Sequence, residues 1–168
     1  NGIVLSHSSS TNLTENTCRY NREDGIKISS SHRNYVRNNS INSNNNGILL
    51  RFSYWNVVTG NICMNVNTGI YLYLSDDNII SGIKSENNVY GIKLYGAFSN
   101  LLSDSIFSLN KRDGIYIEES NNNIILNNTI LSNNGNGTTL NQSYNNIIYN
   151  CQFEDNYNGI SNSEGWKN

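Results

Sequence analysis

Few side chains in this sequence are equipped for chemistry. Asp76 and Asp77 are neighbouring carboxylates, Glu118 and Glu119 form a second acidic pair, and Arg51 supplies a guanidinium. Two carboxyl groups flanking a glycosidic bond are the apparatus of acid–base sugar cleavage. Tyr71, Tyr73, Tyr95 and Tyr116 surround Lys93 in sequence, and flat amphipathic rings beside a charge suit sugar faces and their hydroxyl or uronate groups. Soft metal donors amount to Cys18, Cys63, Cys151, His7, His32 and Met64. Copper(I) needs such donors clustered, and neither C-x-x-C nor H-x-H spacing occurs. Whether any of these groups meet depends on the elements that carry them.

The chain has 168 residues, room for one domain. Its net charge of −2, with 14% charged residues, gives no electrostatic reason to bind nucleic acid or an acidic membrane. No apolar run approaches the ~18 residues of a membrane span. Proline is absent and asparagine fills about a fifth of the positions. Asn is a mediocre helix former, which disfavours a helical bundle. The chain opens on Asn1 without a signal-peptide pattern, so residues 1–168 are expected to form one segment of a longer protein, with flanking coils as its neighbours.

A glycine recurs at Gly2, Gly25, Gly47, Gly69, Gly91, Gly114, Gly137 and Gly159, every 22 or 23 residues. Positions one and three after it are apolar, as in Ile26 and Ile28, which is the alternation of a short half-buried strand. Eleven and sixteen residues after it come further apolar columns, represented by Val36 and Ile41. Nine residues after it stand Asn34, Asn56, Asn78, Asn100, Asn123 and Asn146, a column suited to amide stacking between in-register rungs. Asn16, Asn39, Asn61 and Asn128 form a weaker column, and a serine column stands six residues after the glycine. A hairpin meander needs turn signals every 8–12 residues, and leucine-rich repeats place Asn elsewhere and add a helix. The period therefore predicts an all-β parallel β-helix of about seven coils.

The pattern G-I-x-L-x-x-S-x-x-N-x-I, followed by a second Asn-rich turn, resembles the right-handed, single-stranded parallel β-helix repeats of the pectate-lyase-like superfamily. Its texture is most similar to NosD-like and other Asn-rich surface β-helix domains. The resemblance covers the whole chain and implies the fold, which hosts lyases, hydrolases, adhesins and non-catalytic scaffolds alike. Polysaccharide-cleaving members work on the outer face of the first strand and the turn after it. A polygalacturonase-like site would need His-Gly and Arg-x-Lys besides Asp76-Asp77, and neither follows. A lyase-like site would gather carboxylates for calcium beside an arginine base, for which Arg51, Asp76, Asp77 and Glu118 are the candidates. Asp76 and Glu118 would stand two rungs, ~9.6 Å, apart, the outer edge for an inverting pair. The NosD likeness implies a copper-accessory role, but His7 and His32 are two residues out of register and Met64 stands alone.

Counting from each glycine turns Tyr71, Lys93 and Tyr116 outward in one column and Arg51, Tyr73, Tyr95 and Glu118 in another. Cys18 and Cys63 fall two coils apart, beyond the ~7 Å reach of a disulfide, and Cys151 falls in a different column, so three free thiols acting as small core hydrophobes are expected. The leading expectation is a non-catalytic, extracellular or cell-surface domain that binds carbohydrate or another surface through Tyr71, Tyr73, Lys93, Tyr95 and Tyr116, with no metal or cofactor. The alternatives are a polysaccharide lyase or hydrolase, with calcium in the lyase case, and the copper-accessory role.

Overall fold

A computed structural model describes residues 1–163. Every coil contributes one short strand to each of three parallel sheets, and the strands are joined by bends. The first sheet has eight strands, from Ile3–Ser6 and Ile26–Ser29 to Thr138–Asn141 and Ile160–Ser163. The second runs from Asn12–Thr14 to Ile147–Tyr149 and the third from Thr17–Arg19 to Gln152–Glu154, with seven strands each. The chain is thus a right-handed all-β solenoid of about seven turns. Its handedness is the general preference of parallel crossovers.

The apolar columns meet inside. Ile26, Ile28, Val36, Ile41, Ile48, Leu50, Ile70, Leu72, Ile92 and Leu94 are all buried in one continuous core, each stabilising the rod by about 1.5–3 kcal/mol through lost apolar surface. Cys18 and Cys63 lie in this core as free thiols, and burial pushes the Cys63 thiol up to about 12. Cys151 is also free and packs half-buried against this core. It takes a bend position where other coils carry Asn, and its Sγ lies 3.6 Å from the Ile125 carbonyl oxygen.

Four bends per coil turn the chain, and each has one design. A residue with φ near +50 to +60°, such as Phe52, Trp55, Leu74 or Asn87, is followed directly by an inward residue that is polar in most coils and apolar at a few, among them Val66, Ile83 and Ala97. After the first bend position comes the serine column; Ser31 N–H, for example, donates to Ser53 Oγ at 3.2 Å. After the second comes the Asn34-to-Asn146 column. There each Asn Oδ1 after that of Asn34 accepts from the backbone N–H and side-chain amide of the preceding coil, as Asn78 does from Asn56 at 2.8 and 3.1 Å. The amide of Asn78 also donates to the Ser53 carbonyl at 3.0 Å. A left-handed backbone costs ordinary residues about 1–2 kcal/mol, and these stacks over-determine the bends that need it.

The third bend carries Asn16, Asn39, Asn61, Ile83, Ser105 and Asn128. The fourth carries a further amide column not singled out in the sequence: Asn21, Asn44, Val66, Asn88, Asn110, Asn133 and Asn156. The repeat glycines have a steric reason rather than a turn reason. A Cβ on Gly69 or Gly91 would collide with the carbonyl oxygen of Gly91 or Gly114 in the next coil.

Candidate functional site

Strands of the first sheet send alternate side chains inward and outward, so the outward positions of successive coils form two straight columns. Lys27, Leu49, Tyr71, Lys93 and Tyr116 are consecutive register partners in one. Arg51, Tyr73, Tyr95 and Glu118 are consecutive in the other. All four tyrosines are half-buried among their neighbours. Tyr73 and Tyr95 stack with centroids 5.6 Å apart and planes 9° apart, while Tyr71 meets Tyr73 edge-on at 6.1 Å. The stacked pair turns one face of each ring onto the other, leaving edges and hydroxyls as a large part of what it offers.

Lys93 bridges the columns. Its Nζ lies 5.8 Å from the Tyr71 ring centroid and 5.1 Å from that of Tyr116, and 3.4 Å from Glu118 Oε2. Arg51 lies over Phe52 at 4.9 Å and Tyr73 at 5.9 Å. Burial, aided by Tyr73 and Glu118, pushes the Tyr71 phenol up to about 12. Glu119 first, then burial, raises Tyr95, and burial raises Tyr116. These phenols therefore stay protonated near neutral pH, available to a ligand as hydrogen-bond donors rather than as bases.

Two clefts open on this face. One, of about 310 Å³, is lined by Lys27, Leu49, Arg51, Tyr71 and Tyr73. The other, of about 390 Å³, is lined by Tyr90, Lys111, Arg112, Asp113, Tyr116, Asn134 and Gly135. Each combines aromatic rings with two cations. Arg112 and Tyr90 in the second cleft, and His32 and Arg33 in the neighbouring bend, escape a reading confined to strand columns, whereas Tyr54 and Trp55 are legible in the sequence as an aromatic enrichment of that bend. His32 stacks on Tyr54 at 5.1 Å, and Arg33 lies 5.2 Å over Trp55. The signal for them is aromatic and basic residues recurring at one bend position in adjacent coils.

The acidic candidates do not converge. Asp76 lies in a bend, where its Oδ1 accepts from the Phe98 N–H at 2.8 Å and burial raises its pKa. Asp77 is the exposed left-handed residue beside it. Glu118 stands on the strand face, engaged by Lys93. Arg51 shares the Glu118 column three rungs away, about 14 Å at the usual strand spacing. Among the described residues, no three His, Cys, Asp or Glu side chains gather into a group able to hold a metal ion.

Parallel coils, stacked amides and an aromatic outer face define a right-handed β-helix of the pectate-lyase-like type. The family model described as periplasmic copper-binding protein (NosD) matches residues 1–54 and 47–168, so the chain belongs to the NosD family. No curated protein sequence matches it. The T265N mutant of the periplasmic alginate epimerase AlgG is similar in structure, with TM-score 0.83 and 19% identity over 97% of this chain and 46% of that one. The A-module of the Azotobacter vinelandii mannuronan C-5 epimerase AlgE4 gives 0.66 and 15% over 93% and 58%. The enzymatically active domain of bacteriophage CBA120 tailspike protein 2 gives 0.51 and 12% over 92% and 39%. The chain spans about half the length of the AlgG structures it matches.

The family description raises copper, and the donor set does not fit it. Cys63 is sealed in the core as a neutral thiol, and Met64 points the opposite way from the same strand. Nδ1 of His32 accepts the Tyr54 N–H at 3.1 Å, and His7 lies 3.0 Å from Ser6 Oγ in another bend.

Proposed function

We propose that this chain is an extracytoplasmic, non-catalytic β-helix that binds carbohydrate on the outer face of its first sheet. The observation that carries the reading is the cleft of Lys27, Leu49, Arg51, Tyr71 and Tyr73, where an apolar floor lies between two cations. That combination suits a sugar ring bearing a carboxylate, with Tyr71 and Leu49 beneath it and Arg51 free for bidentate pairing. Tyr73, Tyr95, Tyr116 and Lys93 continue the surface along the rod, and binding needs no cofactor. The periplasmic description of the family and the alginate and mannuronan epimerase names of similar structures support both compartment and ligand class.

The test is affinity measurement on a polysaccharide panel that includes polyuronates. Arg51→Ala with Tyr71→Ala is expected to weaken binding by about tenfold or more while the thermal midpoint stays nearly constant. Asp76→Asn with Asp77→Asn is expected to leave binding intact. Absence of any ligand on the panel overturns the proposal. So does polyuronate turnover that disappears with the Asp pair, which would establish an enzyme instead.

A further inference from the structure

A groove of about 550 Å³ runs along the fourth bend of coils two to five, away from the Arg51 cleft. Asn65, Asn87 and Leu109 line it from the left-handed position, and Asn67, Val89 and Lys111 from two positions later. Between them lies the fourth-bend column itself, as Asn44 and then Val66. Val66 is where that column loses its amide, so hydrocarbon forms the floor at that coil.

The amides of Asn65, Asn67 and Asn87 are exposed and, among the described residues, make no hydrogen bond to the protein. They differ in this from the amides of the stacks. Each offers an adjacent donor and acceptor, which is what vicinal hydroxyls require. Val66, Val89 and the half-exposed Leu109 supply an apolar strip against which the C–H face of a pyranose can lie. Lys111 is the one charged residue in the lining and is shared with the cleft of Tyr90 and Arg112, so along the rest of the groove recognition falls to amides and hydrocarbon. The groove crosses three rung intervals, about 14 Å, and the stiff coils hold its amides in place before any ligand arrives, which lowers the ordering cost of binding.

We infer that this groove is a second carbohydrate site, specific for a neutral oligosaccharide lying along the rod axis. It stands independently of the first-sheet reading. The experiment is amide-resolved NMR titration of the isotopically labelled chain with cellohexaose, maltohexaose and xylohexaose, and with an oligomannuronate as charged probe. The expected result is movement of the Asn65, Asn67 and Asn87 side-chain signals with at least one neutral hexaose. Asn65→Gly with Asn87→Gly should then weaken that binding by about tenfold. Glycine is the replacement because φ is +54° at Asn65 and +58° at Asn87. If that double variant unfolds, Asn67→Ala gives the same test at a position without a left-handed backbone. Lys111→Ala should leave the neutral affinity within about twofold, and Arg51→Ala with Tyr71→Ala should leave it unchanged, which separates the two sites. The inference is overturned if no neutral hexaose moves these signals, or if affinity survives removal of the amides. It is also overturned if binding needs Lys111 and fades with salt, since the ligand would then be an anion.

Discussion

Tyr20, Arg33, Phe52, Trp55, Leu74 and Leu109 all occupy left-handed backbone positions that most side chains avoid. Asparagine's tolerance of such turns is therefore a poor account of why this chain contains so much of it. The residue after the bend matters more, because its inward oxygen receives N–H groups from the coil before. Thr138 shows the same pressure from the opposite side. It stands in the core column where Ile26, Ile92 and Ile115 stand in other coils, and its Oγ1 is buried without a partner. Thr138→Val replaces that hydroxyl by a methyl group of similar shape and removes an unpaid desolvation cost. The expected outcome is a gain of about 1 kcal/mol, read as a higher denaturant midpoint at unchanged slope. An unchanged or lower midpoint would show that water reaches the hydroxyl. The break in the isoleucine column is legible in the sequence, whereas the lack of a partner is not, since it depends on what the neighbouring coils place within reach.

At the scale of the element, strand columns and the Asn34-to-Asn146 stack are legible because a fixed period brings like residues into one line. Asn21, Asn44, Asn88, Asn110, Asn133 and Asn156 are equally periodic. Each stands 19 residues after its repeat glycine, so the same forward count that shows the first stack shows this one, interrupted only by Val66. Ring orientation, by contrast, was beyond the sequence. Columns place Tyr73 beside Tyr95, but side-chain rotamers decide whether neighbouring rings lie flat or stack, and here they stack. The acidic candidates are separated because a bend intervenes between Asp76 and the strand position that Glu118 occupies in its own coil. The stacks themselves are testable. Asn78→Ala removes the acceptor for two groups of Asn56 and the donor to the Ser53 carbonyl. The expected cost is about 1–3 kcal/mol, measured by equilibrium unfolding. A loss below the ~0.5 kcal/mol of ordinary surface changes would mean that the stack records composition rather than stability.

On the scale of the molecule, a solenoid distributes its residues by column, and groups in different columns meet only where two columns adjoin. That rule gathers Arg51, Tyr71 and Tyr73 with Lys27 on one face, and it scatters the soft donors. Cys18 and Cys63 point inward two coils apart with Ile41 between them. Met64 is outward, Cys151 lies in a bend of the last full coil, and His7 and His32 lie in the bends after the first-sheet strands of coils one and two. Every Cys, His and Met of the chain falls within residues 1–163, so this dispersal accounts for the whole donor set. Membership of a family described by copper binding therefore makes a sharp prediction for this stretch of chain. In competition with a chromophoric Cu(I) chelator at pH 7, under reducing conditions, the chelator should keep essentially all the metal. Burial holds the Cys63 thiol protonated, with its pKa at about 12, and a cysteine binds metal as its thiolate. Raising the pH to 8 should therefore change nothing, since that thiol remains far below its ionisation. Transfer of one equivalent of copper to the protein, lost on Cys63→Ser or Met64→Leu, would show that the rod opens to assemble a site that its columns keep apart.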